Sequence, residues 1–314
     1  MKSKLCFLGL LMAAVLAMSA CGASFVVGSS YPDADRYSVG SGEVTGSVKD
    51  VVVEWQSGTV EIRTTESDAI RLTETFENMA EGDEPGEELQ VHYWLDGTTL
   101  RVHFMASGVT GPQVVPQKNL VLELPADALN SVAIDSASAD LTIRLPECET
   151  VSVDTASGSV QLSLTGETSS VELDTASGDV TVTADMIGVL TVNTASGSAA
   201  VSASSVGTVK ANTASGNVNL SLMSADEVEL DTTSGGLTAV FGVTPARMDV
   251  ETTSGDVNLT LPADASFTLD VDTASGDFRS DIPLIYGVGT YKAGDGSAKW
   301  KLNTTSGDIT ITGR

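Results

Sequence analysis

Acidic side chains recur at fixed places around a repeated Ser-Gly step. Asp174 and Asp272 stand four residues before such a glycine, and Asp179, Asp256 and Asp277 stand one residue after it. Rows of carboxylate oxygens are hard ligands of the kind Ca²⁺ takes. These five are therefore the candidate metal ligands, and Ca²⁺ is the only cofactor they suggest. The competing chemistry is local. Asp and Asn beside a tight corner bond nearby backbone N–H groups, and no oxygen-ligand loop of the D-x-[DN]-x-[DN]-G kind is present. Corner chemistry therefore outweighs metal ligation. His92 and His103 are the only histidines. A pair on neighbouring strands could share a metal, but no cysteine or ligand spacing accompanies them, so they are expected to be ordinary strand residues.

Catalysis finds little support. No G-x-S-x-G elbow and no glycine-rich phosphate loop occur. A sugar-cleaving enzyme would need convergent carboxylates with a base, often Arg or Lys. Within the repeats the basic residues are sparse (Arg144, Lys210, Arg247, Arg279), and the carboxylates form rows rather than a cluster. No residue is assigned a catalytic role.

The elements that carry these side chains follow from the repeat. The pentapeptide [Asp/Asn/Glu]-Thr-[Ala/Thr]-Ser-Gly occurs eight times, ending at Gly158, Gly178, Gly197, Gly216, Gly235, Gly255, Gly276 and Gly307. The spacings are 20, 19, 19, 19, 20, 21 and 31 residues. Worn copies stand at Asp135-Ser136-Ala137-Ser138-Ala139 and Glu54-Trp55-Gln56-Ser57-Gly58. Apolar and polar residues alternate on both sides of the Ser-Gly, as in Val171-Glu172-Leu173-Asp174-Thr175 and Val180-Thr181-Val182. That is the period of a half-buried strand. Each unit reads as strand, corner, strand, corner, with the second corner near 184–188. A unit this short cannot stand alone; stacked on its copies it forms a parallel β-solenoid of about 19–21 residues per coil. Parity turns Val, Leu and the repeated Thr inward or places them at the corner. It turns Asp154, Asp174, Asn193, Asn212, Asp231, Glu251, Asp272 and Asn303 outward. Because the Thr column faces inward or lies at the corner, an ice-binding Thr face is not expected there.

Composition agrees. Aromatics are 5% of the chain against 41% hydrophobic residues, so the core is aliphatic. The formal charge of −26 excludes nucleic acid, whose phosphates require Lys and Arg, and an electrostatic hold on anionic lipid.

The first residues read as an address. Lys2-Ser3-Lys4 precedes an apolar run, Leu5 to Ala17, too short for an ordinary membrane span. Met18-Ser19-Ala20-Cys21 follows and resembles a bacterial lipobox, so residues 1–20 are expected to be a signal peptide and Cys21 a lipidated first residue. Residues 21–46, rich in Gly and Ser, read as a flexible tether. Cys148 is then left without a partner and is expected to be a small apolar residue of the fold.

Residues 47–133 carry similar but less regular strands, read as N-terminal coils or a cap. Leu89–Tyr93 and Thr99–Phe104 are expected to form a hairpin around Asp96-Gly97. The regular solenoid covers 134–314, with a C-terminal insertion near 282–300 forming a hairpin or cap. The signal peptide, the strand ending Glu123-Leu124-Pro125, the successive [DN]T[AT]SG[DSN] coils and the final Asn303-Thr304-Thr305-Ser306-Gly307-Asp308-Ile309-Thr310-Ile311 together resemble the adhesin family of bacterial envelope β-solenoid proteins, a domain of unknown function. The resemblance covers most of 47–314. It implies a right-handed parallel β-helix on the cell envelope and no catalytic residues.

The expectation is a surface lipoprotein that acts as a non-catalytic, adhesin-like binding or structural module. It would be held at an extracytoplasmic membrane surface through Cys21, and its partner would be an envelope or extracellular protein or glycan. The alternatives are a Ca²⁺-stabilised acidic solenoid and, less favoured, a polysaccharide-active β-helix enzyme.

Overall fold

Alternation becomes geometry in the computed structural model, which describes residues 24–27, 29–77, 79, 85–113 and 117–314. The expected signal peptide and Cys21 lie outside the described residues. Among the described residues the elements are strands and two short 3-10 turns. In Cys148–Thr155, Val151, Val153 and Thr155 are buried while Ser152 and Asp154 face out. The same parity holds in Val160–Thr175, Val180–Thr194, Ala199–Thr213 and Val218–Thr232. Each of these four pairs in parallel with the next, residue on equivalent residue, so that Val171 meets Leu190, Val209 and Val228 in succession. Like stacks on like. The core along the middle of the rod is an aliphatic column of Val, Leu, Ile and Ala, and burying each large aliphatic side chain is worth ~1.5–3 kcal/mol. Cys148 belongs to this core, fully buried.

The second corner differs from expectation. Residues 160–175 are one continuous strand that bends, with a β-bulge between Leu164 and Glu167. The bulge takes up the extra residue of a 20-residue unit stacked on a 19-residue one: Leu164 pairs with Ala184, while Glu167 pairs with Met186. Through the four long strands the hydrogen-bond ladder therefore runs on past the second corner, whereas that corner breaks the strand as expected between Phe241 and Arg247 and between Leu261 and Phe267.

Coil order departs from chain order at both ends. Asp50–Trp55 pairs in parallel with Leu129–Ser136, and Gly58–Thr65 with Asp140–Leu145. The worn copy ending at Gly58 is thus a true coil. Lys118–Pro125 lies on its far side, parallel to Gly58–Thr65 and antiparallel to Ala69–Phe76. At the other end Ala298–Thr304 lies between Arg247–Thr252 and Phe267–Thr273, and Ile309–Gly313 lies between Val257–Leu261 and Phe278–Ser280. The last coil in sequence is the penultimate coil in space. Intercalation gives the chain's final strands partners on both edges, with Leu302, Ile309 and Ile311 fully buried. The expected C-terminal insertion is a hairpin, Ile285–Gly287 with Thr290–Ala293, which lies antiparallel on the outer edge of Phe267–Thr273.

The tether expected over residues 21–46 is corrected for most of its described part. Ser38–Val39 pairs antiparallel with His92–Asp96, and Gly42–Thr45 pairs antiparallel with Ala69–Phe76. Ser24–Val27 pairs antiparallel with Thr110–Gln113. Tyr31 is buried, its N–H donating to Ser107 Oγ at 2.9 Å and its hydroxyl to Met105 O at 3.1 Å. The reason is edge chemistry. An open end coil leaves a row of backbone donors and acceptors unpaired, and this segment covers it. Its Gly and Ser content hid the strand signal. The expected hairpin is present as His92–Asp96 and Thr99–His103.

Candidate functional site

The repeated pentapeptide builds a corner whose parts have separate tasks. Thr175 Oγ1 accepts from Gly178 N–H at 2.9 Å, and the same bond recurs from Thr213 to Gly216 and from Thr304 to Gly307. The inward Thr is therefore a buried corner acceptor. The glycine is demanded by close approach: a Cβ on Gly216 would sit 1.7 Å from Gly197 O, and one on Gly197 1.9 Å from Gly178 O. The acidic residue after the glycine stitches coils together. Asp179 Oδ1 accepts from Ser198 N–H, Asp256 Oδ1 from Asp308 N–H, and Asp308 Oδ1 from Asp277 N–H, each at 2.8 Å.

This geometry accounts for the candidate metal ligands one by one. Asp179 and Asp256 are used as stacking acceptors. Asp277 accepts from Arg279 Nη2 at 2.6 Å. Asp174 accepts from Asn193 Nδ2 at 2.5 Å, and Asp272 lies in register beside Asn303. Asp174 and Asp272 precede the corner and the other three follow it, so the five stand in two separate rows. Among the described residues no group of three or more His, Cys, Asp or Glu side chains is disposed to hold a metal ion.

The row before the corner is the most strongly acidic. Glu54, Asp135, Asp154 and Asp174 are direct neighbours in register. Burial pushes the Asp135 carboxyl above the usual range, with the charges of Asp154 and Glu54 adding to the effect. Asp154 is raised likewise, by burial first and Asp174 second. Two carboxylates ~4.8 Å apart repel by about 0.9 kcal/mol in water. Asn193 and Asn212 interrupt the row and turn repulsion into hydrogen bonds, Asn212 Nδ2 donating to Asn193 Oδ1 at 2.8 Å.

The two histidines are register partners on the N-terminal hairpin. His103 stacks on Tyr31 with ring centres 3.8 Å apart and planes 5° from parallel. Its Nδ1 lies 3.2 Å from Glu54 Oε2 and its Nε2 3.3 Å from the Tyr37 hydroxyl. His92 Nδ1 lies 3.0 Å from Gln90 O, and burial lowers its affinity for a proton. Bonding to His103 holds the Glu54 carboxyl below its usual range. Both ring nitrogens of His103 and Nδ1 of His92 are thus engaged by neighbouring residues.

Sequence reasoning missed one polar pair. Lys118 is fully buried, with Nζ 2.8 Å from Glu74 Oε1. It also donates to Leu89 O at 2.7 Å and to Phe104 O, and Nζ lies 4.0 Å from the centre of the Phe104 ring. Burial lowers the Lys118 pKa to about 8, against the attraction of Glu74. The nearby Val91 N–H donates to Glu74 Oε2 at 2.9 Å. Lys118 opens a strand in register with Gly58, a place where an outward lysine reads identically in sequence.

Two recesses of about 530 and 660 Å³ interrupt the surface. The first is bordered by Gly242, Thr244, Asp264 and Ser297, the second by Ser47, Ser67, Asp68 and Asp127. No Lys, Arg or His borders either one.

A model of the Toastrack DUF4097 family matches residues 48–312. The chain belongs to the Toastrack family. No curated protein matches this Toastrack chain. Among solved structures, a candidate lipid-binding protein from Parabacteroides distasonis is similar at 14% identity and TM-score 0.48, covering 86% of this chain and 95% of that one. A candidate adhesin from Bacteroides fragilis is similar at 11% identity and TM-score 0.41, covering 88% and 97%. A candidate cell adhesion protein from Clostridium sporogenes is similar at 8% identity and TM-score 0.24, covering 88% and 100%. The family match, rather than these likenesses, decides the assignment. The matched span takes in the irregular N-terminal coils as well as the regular repeats, so the Toastrack body and the stacked rod coincide.

Proposed function

We propose that this Toastrack chain is a non-catalytic binding module displayed at the bacterial cell envelope and held to an extracytoplasmic membrane surface by a diacylglyceryl group on Cys21. The observation that carries the reading is the disposition of its polar side chains. Corner Thr residues are used in closing the corner within a coil and corner Asp residues in joining one coil to the next, and the outward residues run in straight, extended rows. Extended rows suit recognition of an extended partner better than turnover of a small substrate, which calls for a concave pocket with convergent groups. The body is read as a right-handed parallel β-helix, the hand that connections between parallel strands favour. The order of residues 1–21 supports the address: positive start, short apolar run, small residues, cysteine. A lipid anchor at Cys21 would leave the acidic rod projecting from the membrane, since its charge gives no attraction to anionic lipid.

Two measurements test this. Cells expressing the chain are labelled with a fatty acid, and Cys21→Ala is compared with wild type; label on wild type alone supports the anchor, and equal label on both refutes it. The detergent-solubilised full-length chain is then sedimented with isolated envelope material. Saturable co-sedimentation supports the binding module, and recovery no greater than that of heat-denatured chain refutes it.

A further inference from the structure

Beyond the corner row of Asp179, Asp256 and Asp308, the two long sides of the rod differ in charge. On the side that precedes the corner, acidic residues recur outward, among them Glu172, Glu229, Asp231, Asp249 and Glu251. On the side that follows it, one outward column runs through Gln161, Thr181, Asn219, Thr238, Asn258 and Thr310, with Ala200 completing it. A second column, two residues further on, runs from Ser163 to Thr312 through hydroxyls and Val240. Neither column holds a charged side chain over these seven coils. Charged residues are 18% of the chain and the net charge is −26, so a neutral outward face of this length runs against the surface around it.

We propose that this neutral face binds a neutral, hydroxyl-rich polysaccharide strand laid along the rod axis. The proposal rests on the binding-module reading and names the ligand class and the surface. Side chains in one column repeat every ~4.8 Å and the two columns lie ~7 Å apart, so the face offers a flat lattice of hydroxyl and amide groups. Thr181, Asn219, Thr238 and Asn258 are exposed and free to trade water for ligand hydroxyls. A polymer that carries polar groups along its length meets the same donors and acceptors at each coil, and many weak bonds act in series.

The other occupants fit less well. An anionic polymer finds no Lys or Arg on these columns and meets a strongly acidic protein. A small molecule is less suited, since neither recess described above is bordered by a residue of these columns. A second copy brings the same −26 charge, and seven strands by about five residues give only ~570 Å² of face, below the ~800 Å² per partner of a standard interface. With no aromatic platform on the face, affinity comes from length and grows with the number of coils engaged.

The test uses the full-length chain in detergent on native gels that contain dissolved hydroxyethylcellulose, galactomannan or dextran, with alginate as the anionic comparison. At least one neutral polymer is expected to retard the wild type. Thr181→Asp/Thr238→Asp and, with opposite charge, Thr181→Lys/Thr238→Lys should each weaken the retardation at least about tenfold. Glu172→Gln/Glu229→Gln, on the other side, should leave it unchanged, and circular dichroism melts should show all three folded. Retardation by no neutral polymer, by alginate alone, or equally in wild type and face variants overturns the proposal. If the face variants still co-sediment saturably with envelope material, the face assignment falls while the binding module stands. A dimer in sedimentation velocity that the face variants abolish assigns the face to a second copy and overturns the glycan proposal.

Discussion

Lys118 Nζ lies 2.8 Å from Glu74 Oε1, and both side chains are closed off from solvent. The pair joins the Lys118–Pro125 strand to Ala69–Phe76, and the lysine also ties in the carbonyls of Leu89 and Phe104. Removing one member strands the other in an apolar setting. Lys118→Met should therefore cost about 3–5 kcal/mol in denaturant unfolding of the full chain, and Lys118→Met/Glu74→Leu should recover most of that loss. An equal cost in the double variant would mean that packing, not charge, is at stake.

The same lysine sets a pH dependence. Its pKa is lowered to about 8 in the fold from an ordinary 10.5. Between these values the unfolded chain binds the extra proton, so stability rises with pH through the window and is lost as pH falls through 8. Measured against Lys118→Met, the wild type should gain stability from pH 8 to pH 10. A flat difference would contradict the lowered pKa.

Asp154 predicts the opposite sign. Its carboxyl is raised above the usual range by burial and by Asp174, so the folded chain holds a proton that the unfolded chain releases. Stability is fullest below pH 3.8 and falls as pH rises above it. Asp154→Asn should stabilise the protein at pH 7 by about 1 kcal/mol, the scale of one neighbouring repulsion, and should flatten the acid limb of the stability curve.

The corner residues predict steep, specific losses. Gly216→Ala places a Cβ 1.7 Å from Gly197 O, which backbone must move to admit, at a cost of about 3 kcal/mol or more. Thr213→Val removes the acceptor of the buried Gly216 N–H and should cost about 1–3 kcal/mol, with Thr213→Ser restoring most of it. Thermal unfolding of the three variants separates the two effects.

The N-terminal segment is held by its aromatic contacts. His103→Ala removes the ring on which Tyr31 stacks and to which the Tyr37 hydroxyl bonds. Amide exchange should quicken at Tyr31 and Gly40, whose N–H groups donate to Ser107 Oγ and Val91 O, and should stay unchanged at Val171 in the central coils.

Much of the fold was legible because it is periodic. Eight pentapeptides in register, with Val and Asp alternating around them, specify a stacked strand, its inward face and its glycine corner. Parity placed the Thr inward or at the corner, and its bond to the glycine N–H makes it both, a buried residue that closes the corner. What the repeat could not carry was order. Nothing in Asn303-Thr304-Thr305-Ser306-Gly307 distinguishes a last coil from an intercalated one, because every coil offers the same edge. Residues 31–45 escaped for a different reason. Their strands exist only against the edges they cover, and Gly and Ser mask the period. Lys118 escaped because burial of a lysine depends on Glu74, which is 44 positions away in sequence.

Both outward ladders, and the binding face built on one of them, depend on which coil lies next to which. Engineered cysteines read that order directly. In a Cys21→Ala background, Asn258→Cys/Thr310→Cys joins register neighbours whose Cα atoms lie ~4.8 Å apart, within disulfide reach. Asn258→Cys/Arg279→Cys would join neighbours only if the coils stacked in chain order; here Arg279 lies beyond Thr310, at roughly twice that distance and outside the ~7 Å limit. Rapid, high-yield intrachain oxidation of the first pair and none of the second is the predicted result. Oxidation of the second pair with the first left reduced would contradict the ladder.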